Sequence, residues 1–181
     1  MAEPLRLLVD RLKTPIGALV IVADEEGRLR ATDWTDYEDR MSLLMRRQYG
    51  PERGTLTEAR NPGGLTDAMA RYFEGELEAI DDLPVKTGGT DFQNSVWRAL
   101  RDIPCGETIS YGTLARRIGR PAAVRAVGLA NGANPVGIVV PCHRVIGSNG
   151  SLTGYGGGME RKRWLLTHEG CLHADPELPL G

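Results

Sequence analysis

Strand-like runs dominate the first third of the chain, and helical spacing then takes over. LRLLVDRL (residues 5–12) and GALVIVAD (17–24) are strand-like and are joined by a turn at Lys13-Thr14-Pro15. GRLRATDW (27–34) alternates apolar and polar residues after a turn at 24–27 and predicts a third strand. DYEDRMSLLMRRQYG (36–50) places Met41, Leu44 and Met45 at helical spacing and ends on Gly50. PERGTLTEARNPGG (51–64) reads as loop. LTDAMARYFEGEL (65–77) reads as a short amphipathic helix with Ala68, Tyr72 and Phe73 inward. IDDLPVKTGGT (80–90) reads as an extended linker around Pro84, Gly88 and Gly89.

After residue 89 helices prevail. TDFQNSVWRALRDI (90–103) opens on a cap at Thr90 or Asp91 and aligns Phe92, Val96, Leu100 and Ile103 on one face. PCGETISY (104–111) is a turn. GTLARRIGR (112–120) is a short helix stopped by Gly119, and PAAVRAVGLANGANP (121–135) is a second helix with proline in its first turn. Two short helices across a tight, glycine-containing turn predict a helix-turn-helix. The second is built from Ala, Val and Gly, so its backbone can approach another surface closely, whether a ligand or the protein's own core. Six strand-like residues, 136–141, then lead to Cys142-His143-Arg144, and ERKRWLLTHEG (160–170) is a last helix. The expected organisation is α/β (α+β): an N-terminal domain over 1–83, a linker over 84–89, a mostly helical domain over 90–172 and a tail over 173–181.

Composition narrows the classes. No run of about 18 apolar residues occurs, so no membrane-spanning helix is expected, and the first residues lack the layout of a signal peptide. Three cysteines without close pairing (Cys105, Cys142, Cys171) fit a reducing, cytoplasmic setting. The net charge of −2 hides an asymmetry. Residues 108–159 contain no Asp or Glu but hold Arg116, Arg117, Arg120, Arg125 and Arg144, a charge of +5; the remainder has 17 basic against 24 acidic residues, or −7. An acid-free basic segment in an acidic protein is a candidate surface for phosphate or nucleic acid; the plainer reading is a solvated face.

Cys142 beside His143 raises three possibilities: a nucleophile, a metal ligand or a buried structural thiol. A free thiol has a pKa of roughly 8.5, so a nearby base raises its thiolate fraction. Adjacent residues diverge on a strand or a helix, so a Cys142–His143 relay needs a turn or an intervening water. A third group should orient the imidazole, and Glu169 is a candidate. The metal reading would draw on Cys142, His143, His168, Cys171 and His173, whose spacing matches no common zinc layout. No metal and no cofactor is expected.

PCHRVIG (141–147) resembles the active-site motif of the methylated-DNA–protein-cysteine methyltransferases, the O6-alkylguanine repair proteins. ISYGTLA (109–115), RAVGLANGANP (125–135), GSLTGYGGG (150–158) and RKRWLLTHEG (161–170) resemble further segments of that family in order and spacing. LKTPIGALVIVADEEGRL (12–29) and NPGGLTD (61–67) resemble its bacterial Ogt-type members, so the likeness spans almost the whole chain. The resemblance implies a ribonuclease-H-like N-terminal domain with an antiparallel sheet, and a C-terminal domain with a winged-helix-like helix-turn-helix.

It also implies a mechanism. Cys142 accepts the alkyl group by in-line displacement from O6-alkylguanine, and from O4-alkylthymine, in a single turnover. His143 takes the thiol proton through a water, and Glu169 orients His143. Asn134 ties the recognition helix to the loop before Cys142, and Tyr111 donates to the base at N3. The carbonyls of Cys142 and Val145 accept from the exocyclic amine. The Gly156 N–H donates to the guanine oxygen, and Tyr155 lines the pocket. Arg125 fills the space of a nucleotide flipped out of the duplex, while Ala126, Gly128 and Ala130 allow the helix into the minor groove. The implied partner is double-stranded DNA with weak sequence preference, met by a monomer. A lesion sensor that does not repair is disfavoured because non-catalytic relatives carry tryptophan in place of the cysteine, and a cysteine hydrolase is disfavoured by the acid-free segment. One departure stands out: Gly156 occupies a position where relatives more often have Ala or Ser.

Overall fold

Gly17–Asp24 forms β2, and Leu19 to Asp24 are all buried, as expected for a strand covered on both faces. Its neighbours are β1 (Leu7–Thr14) and β3 (Leu29–Trp34), both antiparallel to it. The β1–β2 hairpin closes through Thr14, whose hydroxyl donates to the Gly17 carbonyl at 2.6 Å. This is a computed structural model, and it describes residues 5–50, 56–148, 150 and 154–171. The chain divides into two compact units, Met1–Gly89 and Thr90–Gly181.

In the first unit the sheet order is β3-β2-β1-β4. β4 (Leu56–Glu58) lies within the segment expected to be loop, and it pairs parallel to β1. α1 (Glu38–Tyr49) follows a 3-10 turn and ends at Gly50, where φ is +82°. Its Met41 and Met45 pack with Leu7, Val9, Val20, Val22 and Ala31 on one sheet face. α2 (Leu65–Phe73) packs against β1 and β2 and buries Leu65, Ala68, Met69 and Tyr72; Phe73 is only half-buried.

Two expectations need correction here. The alternation in β3 does not separate core from solvent, because all six residues are buried. Arg30 is tolerated there because its Nε donates to Asp24 at 2.8 Å, consistent with the rule that buried charges are paired. The segment read as a linker is stitched to the sheet instead: Leu29 N–H donates to the Pro84 carbonyl at 2.7 Å, and Lys86 N–H to the Leu29 carbonyl at 3.0 Å.

The second unit begins with α3 (Asp91–Arg101), whose start is a reciprocal capping box between Thr90 and Gln93. Val96, Trp97, Leu100 and Ile103 are buried, and Phe92 is half-buried. β5 (Ile109–Ser110) leads into α4 (Tyr111–Arg117), capped by the Ser110 hydroxyl, and Gly119 has φ +74° in the turn that follows. α5 (Val124–Gly132) starts three residues later than Pro121, so the proline belongs to the turn and not to the helix. β6 (Val145–Ile146) pairs parallel to β5. The two strands form a short two-stranded sheet. α6 (Met159–His168) ends at Glu169 and Gly170, the latter with φ +82°. Among the described residues no helix is long and apolar enough to cross a membrane.

Candidate active site

The approach to Cys142 is not a strand. Val139 N–H donates to the Gly137 carbonyl at 2.9 Å across Ile138, whose φ is +75°, an uncommon and strained conformation for a β-branched residue. Cys142 N–H donates to the Val140 carbonyl at 2.8 Å across Pro141. Two tight turns thus replace the expected extended run. Asn134 holds them: its side-chain N–H donates to the Val140 carbonyl at 2.8 Å, and its Oδ1 accepts from Val136 N–H at 3.0 Å. The end of α5 is therefore tied to the segment before the cysteine.

Cys142, His143 and Arg144 form one buried 3-10 turn, closed by the Val145 N–H donating to the Cys142 carbonyl. Neighbours on a 3-10 turn diverge by about 120°, so the Cys142 and His143 side chains do not face one another directly, and a relay between them needs a bridging water. His143 is fully buried, and its Nε2 lies 2.9 Å from Glu169 Oε2. The carboxylate accepts, so Nε2 carries the proton of the neutral ring and Nδ1 is an acceptor. That Nδ1 is buried with no hydrogen-bond partner among the described residues. Burial lowers the His143 pKa, Glu169 opposes the shift, and Arg144 and Lys162 add to it, so the neutral ring is favoured.

Glu169 also accepts from Arg144 Nε at 2.8 Å and Nη2 at 3.1 Å, and Arg144 Nη1 donates to the Ile103 carbonyl at 2.6 Å. Burial would raise the carboxyl pKa, but His143 and Arg144 together hold it far below the usual carboxylate range. Arg144, counted with the basic surface in the sequence, is thus turned inward. Arg116, Arg117, Arg120 and Arg125 are exposed.

Two residues that the sequence reading did not single out join the site. Lys162 is 0% exposed; its Nζ donates to the Val145 carbonyl at 2.7 Å. Burial lowers its pKa to about 8, and negative charge on Cys142, as thiolate, opposes the shift. Lys162, Leu165, Leu166 and Glu169 lie at i, i+3, i+4 and i+7, the spacing of a buried helical stripe, and all four are buried. That spacing was the available signal for Lys162. Asn131 is buried on α5, its side-chain nitrogen 3.5 Å from the Cys142 carbonyl and its Oδ1 without a partner among the described residues.

Of the remaining expected residues, Tyr111 opens α4 and is half-buried, with Gly128 beside its ring: a Cβ on Gly128 would stand 3.9 Å from Tyr111 Cδ1. Val145 is buried and Tyr155 half-buried; Arg125, Ala126 and Gly156 are exposed. Ala130, expected on the open side of α5, is buried, and its carbonyl accepts from Trp97 Nε1 at 2.9 Å; its small side chain serves packing against α3. Part of GSLTGYGGG, residues 151–153, lies outside the described residues, as does His173. His168 stacks on Trp164 with centroids 4.6 Å apart. The Cys171 thiol is pushed up to about 11 by burial and by Glu169, and its Sγ lies 4.0 Å from the Glu107 carbonyl, which suits a poorly reactive thiol. The arrangement can therefore present one buried thiol with a neutral imidazole acceptor backed by a carboxylate.

The family described as 6-O-methylguanine DNA methyltransferase matches in two parts: its ribonuclease-like domain over residues 8–87 and its DNA-binding domain over residues 91–171. The chain is 58% identical over 168 residues to a methylated-DNA–protein-cysteine methyltransferase of Salmonella typhimurium, covering 93% of this chain and 98% of the relative. A relative of the same name from Mycolicibacterium paratuberculosis is 53% identical over 161 residues, covering 86% and 88%. The crystal structure of Mycobacterium tuberculosis OGT in complex with DNA superposes with a TM-score of 0.74 at 43% identity, covering 91% of this chain and 92% of that one.

Proposed function

The chain belongs to the methylated-DNA–protein-cysteine methyltransferases, and from that premise we propose that Cys142 is the thiol that removes the alkyl group from O6-alkylguanine, and from O4-alkylthymine, in duplex DNA. The observation that carries the reading is the buried His143 ring, with Nε2 on Glu169 and Nδ1 left as an acceptor in the residue next to the thiol. A water bridging Sγ and Nδ1 takes the proton to the imidazole, and Glu169 stabilises the imidazolium that results. The thiolate attacks the alkyl carbon in line. The S–C bond forms, the C–O bond breaks, and its electron pair returns to guanine. The Tyr111 hydroxyl at N3 and the Gly156 N–H at the oxygen hold the developing anion, which takes up a proton as it leaves.

The target carbon sits in the base stack, so the nucleotide is flipped into the pocket, at a cost of roughly a few kcal/mol. Arg125 occupies the vacated space. Ala126 and Gly128 let α5 approach the minor groove, and phosphate contacts by the exposed arginines supply affinity without sequence readout. The protein acts as a monomer, and a reducing, cytoplasmic setting fits three cysteines without a disulfide.

Among the described residues nothing in the site is placed to cleave a thioether, and each molecule reacts once. Duplex carrying radiolabelled O6-methylguanine tests this: label plateaus at or below one alkyl per chain, maps to Cys142, and is absent in Cys142→Ala. Multiple turnovers would overturn the reading and favour a hydrolase.

A further inference from the structure

The helix read above as the minor-groove helix is not uniformly small on its outer side. Leu129 is 72% exposed, more than any other large hydrophobic residue among those described. At about 100° per residue, the buried residues Val127, Ala130 and Asn131 fill one side of α5, and Leu129 points outward, about 25° from the direction opposite the middle of that side. Arg125, one turn earlier, lies about 40° to one side of it, and Ala126 about 60° to the other. Arg125 and Leu129 therefore share the outermost part of α5, one on each side of the outward direction, with Ala126 beyond Leu129, all three exposed.

A leucine so exposed on a monomer is uninformative when solitary. Here it stands in the acid-free segment, beside the arginine that the proposed function inserts into the duplex, with the exposed Arg116, Arg117 and Arg120 on the preceding elements. An exposed apolar side chain beside an exposed arginine, in a segment that carries positive charge and no acid, suits a polyanion with an apolar interior. Architectural proteins that enter the minor groove use Phe, Leu, Ile, Met or Pro as wedges against base steps, and the unstacking they cause widens the contact. We propose that Leu129 is the apolar contact of α5 with the floor of the minor groove, next to the gap left by the flipped nucleotide, and that it supports extrusion of the lesion. The inference rests on the reading of α5 as the groove helix.

Single-turnover rates for duplex O6-methylguanine and for the free O6-benzylguanine base should be measured for the wild type, Leu129→Ala, Leu129→Met and Arg125→Ala, with duplex affinity followed over a salt series. Alanine at an exposed helix position does not threaten folding. Leu129→Ala should lose about tenfold on the duplex and much less on the free base. Leu129→Met should recover most of the loss. The slope of log affinity against log salt should stay that of the wild type, because an apolar contact releases no counterions. If Arg125→Ala is selectively slow on the duplex but Leu129→Ala matches the wild type, Leu129 is not a groove contact. Equal losses on both substrates, or a wild-type dimer that Leu129→Ala dissociates in sedimentation, overturn the proposal as well. If Arg125→Ala is unimpaired on the duplex, the reading of α5 itself fails and takes this inference with it.

Discussion

Replacing Lys162 by methionine keeps the length of the side chain and removes its charge. In the folded protein the ammonium is disfavoured: the drop from the ordinary 10.5 to about 8 amounts to about 3 kcal/mol. Because the folded pKa lies below the unfolded one, the unfolded chain binds more protons between pH 8 and 10.5. Stability contributed by this group therefore rises with pH across that window, and the full penalty is present below it. Lys162→Met relieves that penalty but strips the Val145 carbonyl of its donor at 2.7 Å, a loss of roughly 1–3 kcal/mol. The two nearly cancel, so at pH 7 stability should change by no more than about 2 kcal/mol. Activity should not be spared. With a pKa of about 8 the group is mostly charged at pH 7, and a buried cation near Cys142 favours the thiolate. Transfer should slow about tenfold or more at pH 7, one pKa unit being tenfold in thiolate. Denaturant midpoints at pH 7 and 9, with single-turnover rates from pH 6 to 9, check both halves. The wild type should gain stability between the two pH values and the variant should not. A variant that transfers at the wild-type rate with the wild-type pH profile refutes the electrostatic role.

Glu169→Gln should slow transfer strongly with DNA affinity nearly unchanged. It should also lose about 3–5 kcal/mol in chemical denaturation, because Arg144 is left buried without its counter-charge. The sign of the pH effect follows from the depressed Glu169 pKa: its contribution is complete above about pH 4.5 and fades as pH falls, so the gap between wild type and variant should narrow in acid. Gly156→Ala should slow transfer from benzyl adducts while leaving methyl transfer unchanged or slightly faster, since under the proposed mechanism a Cβ would take room beside the alkyl group but order the loop; faster benzyl transfer in the variant would contradict this.

Local pattern carried the helices and the first hairpin well. The eight residues of β2, the Gly50 stop and the Thr90 cap depend on neighbours within a few positions. β4 escaped notice because its partner in β1 lies some 50 residues away, and three exposed residues have no periodicity to detect. The run 136–140 reads as strand by its Val and Ile content, yet two tight turns and Asn134 bend it. The His143–Glu169 pair came from family likeness, since nothing in the spacing of 26 residues joins them. Lys162 was hidden by its setting in ERKRWLL, where a lysine ordinarily faces water; only the stripe it shares with Leu165, Leu166 and Glu169 betrays it. The reverse holds for Leu129, which helical spacing alone could have assigned to a core.

The missing acids in residues 108–159 leave Arg116, Arg117, Arg120 and Arg125 exposed, with no carboxylate paired to any of them among the described residues. An arginine in an ion pair is costly to remove, because its partner is stranded. An exposed arginine with no paired carboxylate is not. Affinity for DNA can therefore drift up or down by one substitution at a time, each step altering the salt dependence by about one counterion and leaving the core untouched. Arg144, anchored to Glu169, has no such freedom. The grip on DNA is thus evolvable in small increments, whereas the apparatus around the thiol can change only by coordinated replacement of several residues at once.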